Sequence, residues 1–223
     1  MFRRDYILRM VEDMTQMIAK VLTLRQERKT TEALWEIDEL LNRHFRLNSR
    51  LLNSLSVEDI IDMFRMGGGL EADKLQGVAR MLQEEAVIYR EKKEEYAAVS
   101  GRMKALHLYL YADLHGADRK LLQIKQEIDK VMAEVAAYRL PLKTEHLLLP
   151  YLESTGHYGK AEDCLYRLLD QGEDVAHKGC ELYQRLLLID PDDLERGNLP
   201  LAEVQQGREE WLRATARVKE WTV

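Results

Sequence analysis

The side chains in this sequence that are best suited to chemistry are six histidines and two cysteines. No two histidines follow an HxxxH or HExxH pattern. His177 and Cys180 lie three residues apart on one predicted helix face, but two ligands do not complete a zinc site. Cys164 could serve as a nucleophile with His107 or His177 as its base only if long-range folding brought them together. The sequence therefore predicts no metal site, no cofactor and no catalytic residue, so we do not expect an enzyme.

Two short stretches share single features with ligand-binding loops. The acidic segment DPDDLE (190–195) has Leu194 at the third ligand position of a calcium loop and lacks the glycine that such a loop needs. The segment GGGLEADK (67–74) follows no predicted strand and has no GK[ST] ending, so it does not match a phosphate-binding loop. These patterns favour a solvated acidic loop and a flexible connector between helices.

Composition favours exposed helices in a reducing compartment. The 223 residues are 32% charged and include only 4 Pro and 12 Gly. A net charge of −6 disfavours a nucleic-acid partner, because phosphate neutralisation dominates such binding. The apolar run LLLPYL (147–152) is far too short for a membrane span, so we expect no membrane partner. With no CxxC motif and an N-terminus interrupted by charges, the sequence predicts a cytoplasmic location.

Apolar residues at spacings of three and four indicate helices along almost the whole chain. The first is predicted over 2–25, Thr30 or Thr31 caps the second, and Ser56 caps a third. The glycines of MGGGL (66–70) mark the clearest break. The remaining helices are predicted as two over 71–114 that meet near 99–102, and others over 118–138, 144–155, 157–170, 174–189 and 201–220, with a loop over 189–200.

We expect two parts that form one continuous domain. Residues 1–66 hold the long first helix and a first hairpin, and residues 67–223 hold the rest of the helices. In the first helix, Met10, Met14 and Met17 lie on one apolar stripe. Such a stripe usually belongs to a core, but methionine-rich seams also recur at adaptable protein surfaces. A homodimer that pairs through this stripe is therefore a hypothesis that the sequence supports.

The stretch ESTGHYGKAEDCLYRLLDQG (153–172) has the pattern of a helical hairpin. Gly156 is expected to end one helix in a left-handed conformation. Tyr158 then packs over the corner, and the small Ala161 marks the place where the two antiparallel helices approach most closely. Leu165 and Leu168 continue the inward face of the second helix.

This pattern resembles the second half of a tetratricopeptide repeat, a 34-residue helix–turn–helix unit with small and large residues at set positions. The repeat near residue 140 departs from it, with Leu149 in place of glycine and Glu173 in place of proline. The chain is also similar to uncharacterised all-helical proteins of Gram-positive bacteria, for which no activity is implied. Further matching positions are Tyr89, Tyr96, Ala105, Tyr109 and Ala112 within 83–116, and Ala33 in a third segment.

The resemblance implies an all-α fold in which antiparallel hairpins stack into an irregular, right-handed array beside the long first helix. An ordinary irregular helical bundle is the alternative. A repeat array implies an adaptor or scaffold that holds a protein or peptide in a helical groove. A regulator that senses a peptide or small ligand and an enzyme using the helical cleft remain alternatives. By alignment with the ligand-facing positions of the family, the groove residues would be Arg90, Glu94, Lys143, His146 and Glu153.

Overall fold

The structure, a computed structural model, describes residues 2–220, with side chains described for residues 5–216. The fold is all-α apart from one short β-hairpin. It divides into two compact units, Met1–Leu140 and Pro141–Val223. The predicted division at residue 66, between two parts of one continuous domain, lies inside unit 1. The difference arises because the helix that follows the triple glycine packs against helices that precede it.

Unit 1 is built around one central helix. This helix, α5, is buried at almost every position from Ala72 to Ile88, because α1, α2 and α6 all pack against it. Helix α7 packs in turn against α6. The elements of unit 1 are α1 (Phe2–Gln26), α2 (Thr30–Phe45), α3 (Ser49–Ser54), α4 (Val57–Met63), β1 (Arg65–Met66), β2 (Gly69–Leu70), α5 (Ala72–Glu91), α6 (Glu95–Leu114) and α7 (Ile124–Val135).

The corner between α5 and α6 lies earlier in the chain than predicted. The turn occurs at residues 92–94, where Lys93 has a left-handed φ of 63°. Gly101, which we expected near a break, lies inside α6 instead. A Cβ atom at Gly101 would lie 3.2 Å from the Cβ of Ala86 on α5. The glycine therefore allows two helices to approach closely and does not form a turn.

The triple glycine forms a β-hairpin and not a flexible connector. Met66 pairs with Gly69 in an antiparallel ladder. Gly67 and Gly68 both have positive φ angles, 58° and 82°, as a tight two-residue hairpin turn requires. Just before it, Ser56 caps α4 in a reciprocal capping box, which confirms that prediction. The predicted threonine cap of α2 is wrong, because Lys29 occupies the N-cap position and makes no side-chain cap bond.

The methionine stripe of α1 lies in the core of unit 1. Met10, Met14 and Met17 have exposed fractions of 1%, 0% and 6%. Met10 and Met14 lie close to Gly77 of α5, where the absence of a side chain makes room for them. These three side chains therefore pack inside unit 1 and are not available to contact a second copy. The hypothesis of a homodimer through this stripe is corrected accordingly.

Unit 2 contains α8 (Leu142–Ser154), α9 (Tyr158–Asp170), α10 (Ala176–Leu186), α11 (Pro191–Arg196) and α12 (Leu201–Glu220). Its main packed pairs are α8 with α9 and α10 with α12. The predicted loop over 189–200 in fact contains α11. Asp190 caps this helix by accepting a hydrogen bond from the backbone of Asp192, and Pro191 occupies its first turn.

The predicted corner of the α8–α9 hairpin is confirmed. Gly156 has a left-handed φ of 77°, and Ala161 is fully buried. Tyr158 packs against Gly197, where any Cβ atom would overlap its ring. Ala33 and Ala105, the other predicted crossing residues, are also fully buried. Tyr96 behaves differently, because it is 89% exposed and packs over no corner.

Candidate functional site

Two of the predicted groove residues, Arg90 and Glu94, lie in unit 1 near the α5–α6 corner. Both are exposed. Glu94 is the N-cap residue of α6 and forms an ion pair with Lys92, with 2.7 Å between the charged atoms. The other three predicted residues lie in unit 2. The predicted set therefore falls in two different units.

Lys143, His146 and Glu153 share one face of α8. His146 Nε2 lies 2.8 Å from a carboxylate oxygen of Glu173. Glu153 accepts two hydrogen bonds from the guanidinium of Arg185 on α10, at 2.5 and 2.9 Å. Lys143 is exposed. Because His146 and Glu153 are engaged by neighbouring side chains, this face of α8 contributes to holding unit 2 together.

A buried carboxylate lies behind that face. Glu145 is only 2% exposed and accepts two hydrogen bonds of 3.0 Å from Arg167. The thiol of Cys164 donates to the same carboxylate at 3.0 Å. Burial, aided by the hydrogen bond to Glu145, raises the pKa of Cys164 well above its ordinary value. Cys164 is therefore a protonated hydrogen-bond donor and lacks the thiolate character of a nucleophile.

A second buried polar network joins the helices of unit 1. Tyr109 donates to Gln83 at 2.8 Å, and Gln83 donates to Glu127 at 2.7 Å. Arg80 bridges Glu127 and Glu84, at 2.5 and 2.7 Å. These contacts connect α5, α6 and α7. The donors and acceptors satisfy each other, so the network serves to position the helices.

A groove that was not predicted from the sequence lies between α9 and α12. Its volume is about 380 Å³. Helix α9 supplies two residues four apart, and α12 supplies the rest at spacings that place them on one face. We call this the acidic groove. Its lining residues are Glu162, Tyr166, Glu203, Gln206, Gly207 and Glu210.

The floor of the acidic groove depends on a residue without a side chain. A Cβ atom at Gly207 would overlap a carboxylate oxygen of Glu162 and lie 2.8 Å from the hydroxyl of Tyr183. The bare backbone therefore lets Tyr183 donate a hydrogen bond to Glu162 at 2.5 Å. Tyr166 is held in an edge-to-face contact with the buried Trp211, with 5.3 Å between ring centroids. The walls of the groove are thus fixed by the core of unit 2.

The charge in the acidic groove is entirely negative. Within the described part of the chain, no lysine or arginine lines it. Desolvation raises the pKa of Glu162 above 4.5, and the nearby carboxylates of Glu203 and Glu210 raise it further. The hydrogen bond from Tyr183 acts in the opposite direction. Three carboxylates beside a tyrosine ring can accept a cation through ion pairs and through the ring face.

The described residues include no metal-binding cluster. Within residues 5–216, no group of three or more histidine, cysteine, aspartate or glutamate side chains is arranged to hold an ion. The acidic segment 190–195 is used to start α11. No helix in the described range has the length and apolar character needed to cross a membrane. The acidic groove is therefore the candidate site that we consider further.

Comparison with known proteins identifies the family. Residues 1–215 match the model described as "Family of unknown function (DUF6483)". The chain belongs to this family. No curated protein and no solved structure shows a significant match to the chain. Membership in the DUF6483 family covers both units, because the match extends through most of α12.

Proposed function

We propose that this chain is a cytoplasmic, non-enzymatic interaction module that holds a basic segment of a partner protein in the acidic groove. The observation that carries the proposal is the concentration of three carboxylates around a concave site that no lysine or arginine lines among the described residues. A lysine or arginine side chain of a partner would neutralise this charge. It would also lower the raised pKa of Glu162, because an opposite charge favours the ionised carboxylate.

The shape of the acidic groove also favours a polypeptide ligand. Tyr166 presents an aromatic ring beside the carboxylates, and cations bind well over such rings. Glu203, Gln206 and Glu210 are exposed along two turns of α12, so they can contact an extended segment at more than one point. In contrast, the predicted groove residues His146 and Glu153 already have internal partners. The proposed binding surface is therefore the α9–α12 face and not the predicted face of α8.

A repeat-like architecture of unit 2 is consistent with this role. Leu142 and Ala176 begin α8 and α10 and lie 34 residues apart, which is the length of a tetratricopeptide unit. Gly156 and Gly172, both with left-handed φ angles, turn the chain after α8 and α9. In this proposal α8 and α9 form one repeat and α10 begins the next. Helices α11 and α12 replace its second helix, so the acidic groove lies between neighbouring repeats.

Fluorescence anisotropy with labelled 12-residue peptides tests the proposal. A peptide that alternates lysine and serine should bind, and the affinity should fall as salt is raised, whereas a glutamate–serine peptide should not bind. Replacing Glu203 and Glu210 with Gln should raise the Kd by about 10-fold or more. The matched control replaces Glu195 and Glu209 with Gln as well. Both residues are exposed outside the groove, so this change should leave the Kd nearly unchanged.

Two outcomes would contradict the proposal. If both double variants weakened the lysine peptide equally, binding would follow net charge and not the acidic groove. If spermidine bound as tightly as the peptide, the ligand would be a small amine and not a protein segment.

A further inference from the structure

Helix α1 carries two apolar stripes, and only one of them is used inside the protein. The inner stripe consists of Ile7, Met10, Met14, Met17 and Val21, all of which are buried. The outer stripe lies beside it on the same helix and is accessible. Leu8 and Leu22 at its ends are 44% and 45% exposed. The residues of the outer stripe are Leu8, Val11, Thr15, Ile18 and Leu22.

The outer stripe has the spacing of a coiled-coil seam. Its residues follow one another at intervals of three, four, three and four, which is the heptad pattern that faces a partner helix. Val11 and Ile18 are half-buried at its edge, and Thr15 is exposed at its centre. The 14 residue steps from Leu8 to Leu22 span about 21 Å of helix. This row of four apolar residues around one threonine differs from the isolated apolar side chains that occur on any protein surface.

We propose that the outer stripe pairs with the outer stripe of a second copy of this chain, in the antiparallel direction. In an antiparallel coiled coil, the two kinds of seam position alternate across the interface. Val11 then lies opposite Leu22 of the second copy, and Thr15 lies opposite Ile18. The two-fold axis repeats both pairs, which gives four layers: two of valine against leucine and, between them, two of threonine against isoleucine. At each end, Leu8 lies opposite Arg25, whose guanidinium is held by Glu91 of α5 in its own copy.

The charges beside the outer stripe fit this pairing. The exposed row next to it contains Asp5, Glu12, Ala19 and Gln26, spaced seven apart. Antiparallel pairing brings the same row of both copies together. Glu12 then faces Ala19 of the second copy, and Asp5 faces Gln26. Each acidic residue of this row therefore meets an uncharged one, so the row brings no two carboxylates together.

The length of the seam sets the expected strength. The four layers correspond to two heptads, which is shorter than the three or four heptads of stable coiled coils. We therefore expect a weak dimer with a Kd in the range of about 10–500 μM. Sedimentation velocity of the full chain from 5 μM to 1 mM measures it. A reversible monomer–dimer equilibrium is the expected result. A strict monomer at 1 mM, or an oligomer larger than a dimer, would overturn the proposal.

Substitution locates the interface. Leu22→Glu should raise the dimer Kd by at least about 30-fold, because two leucines and two layers are lost at once. Circular dichroism should show an unchanged fold, since this side chain is 45% exposed and can keep a charged group in solvent. Trp35→Glu on α2 is the matched control, because Trp35 is 59% exposed and lies outside the outer stripe. Equal weakening by both variants would overturn the assignment of this face.

Cross-linking tests the direction. In a Cys180→Ser background, a Val11→Cys variant and a Leu22→Cys variant carrying tags of different size should form a disulfide when mixed. Each variant alone should not, because its own engineered cysteines lie well apart in the antiparallel pair. Parallel pairing predicts the reverse result, and that result would overturn the antiparallel arrangement.

Discussion

Tyr183 and Glu162 meet over the bare backbone of Gly207, with 2.5 Å between the phenol oxygen and the carboxylate. Tyr183 is fully buried on α10, whereas Glu162 lines the acidic groove from α9. The contact therefore links the core of unit 2 to its candidate binding surface. The shape of the groove and the stability of the unit depend on the same three residues.

Gly207→Ala should destabilise the protein by about 1–3 kcal/mol, because the new methyl group overlaps both partners of this contact. Urea denaturation followed by circular dichroism measures the change. Gln206→Ala is the neighbouring control. It removes only an exposed hydrogen bond to Glu210 and should change stability by less than about 0.5 kcal/mol. Similar effects of the two variants would show that Gly207 is not tightly packed.

Arg167→Ala should destabilise the protein by at least about 2 kcal/mol, because it leaves the buried carboxylate of Glu145 without its cation. Arg185→Ala removes an equally bidentate pair with Glu153, but the carboxylate of Glu153 is 20% exposed whereas that of Glu145 is 3% exposed. The loss of Arg185 should change stability by less than about 1 kcal/mol. Chemical denaturation of both variants at pH 7 tests the contrast, and a reversed order would contradict it.

Glu85→Gln should change how stability depends on pH. Burial raises the pKa of Glu85 above 4.5, although hydrogen bonds from Tyr89 and Asn53 oppose the shift. The folded state therefore holds this proton more tightly than the unfolded state. The resulting stabilisation is complete below about pH 4.5 and is lost as the pH rises through the folded-state pKa.

Urea denaturation at several pH values between 4 and 8 measures this effect as the difference between variant and wild type. The variant lacks this ionisation, so its unfolding free energy should fall less as the pH rises. Glu94→Gln, at an exposed position, should follow the wild-type curve. Parallel curves for all three proteins would mean that the ionisation of Glu85 is not linked to folding.

Iodoacetamide should distinguish the two cysteines. Cys164 is fully buried and its pKa is raised, so it should stay unmodified in the native protein at pH 8. Cys180 is partly accessible and should react first. Peptide mass spectrometry identifies the modified residue, and both should react in 6 M guanidinium. Modification of native Cys164 at the rate of Cys180 would contradict its placement against Glu145.

The helices of this chain could be predicted from local pattern because their signals are local. The apolar spacing in α1 and the cap formed by Ser56 depend only on residues that are close in the sequence. Gly101 shows where local pattern fails. A glycine can mark a turn or a close contact, and the distant Ala86 decides which of the two it is. Similarly, the sequence around Lys93 contains no glycine or asparagine that would have predicted its left-handed backbone conformation.

The acidic groove could not be predicted for a related reason. Glu162 and Tyr166 have the spacing of any exposed helix face, as do Glu203 and Glu210. Their convergence depends on the packing between helices that are separated by more than thirty residues. The same holds for the stripes of α1. The sequence revealed the apolar residues, but the positions of α2 and α5 decided which stripe is inside.

The central position of α5 has a consequence for cutting the chain. Helices α1 and α2, which precede the β-hairpin in the chain, pack against α5, which follows it. The segments before and after the hairpin therefore share one core. A protease that cleaves between Gly67 and Gly68 should therefore leave two fragments that stay together, and separately expressed halves should recombine. We therefore expect the hairpin to tolerate scission within unit 1, whereas residue 140 is where the chain passes from one compact unit to the other.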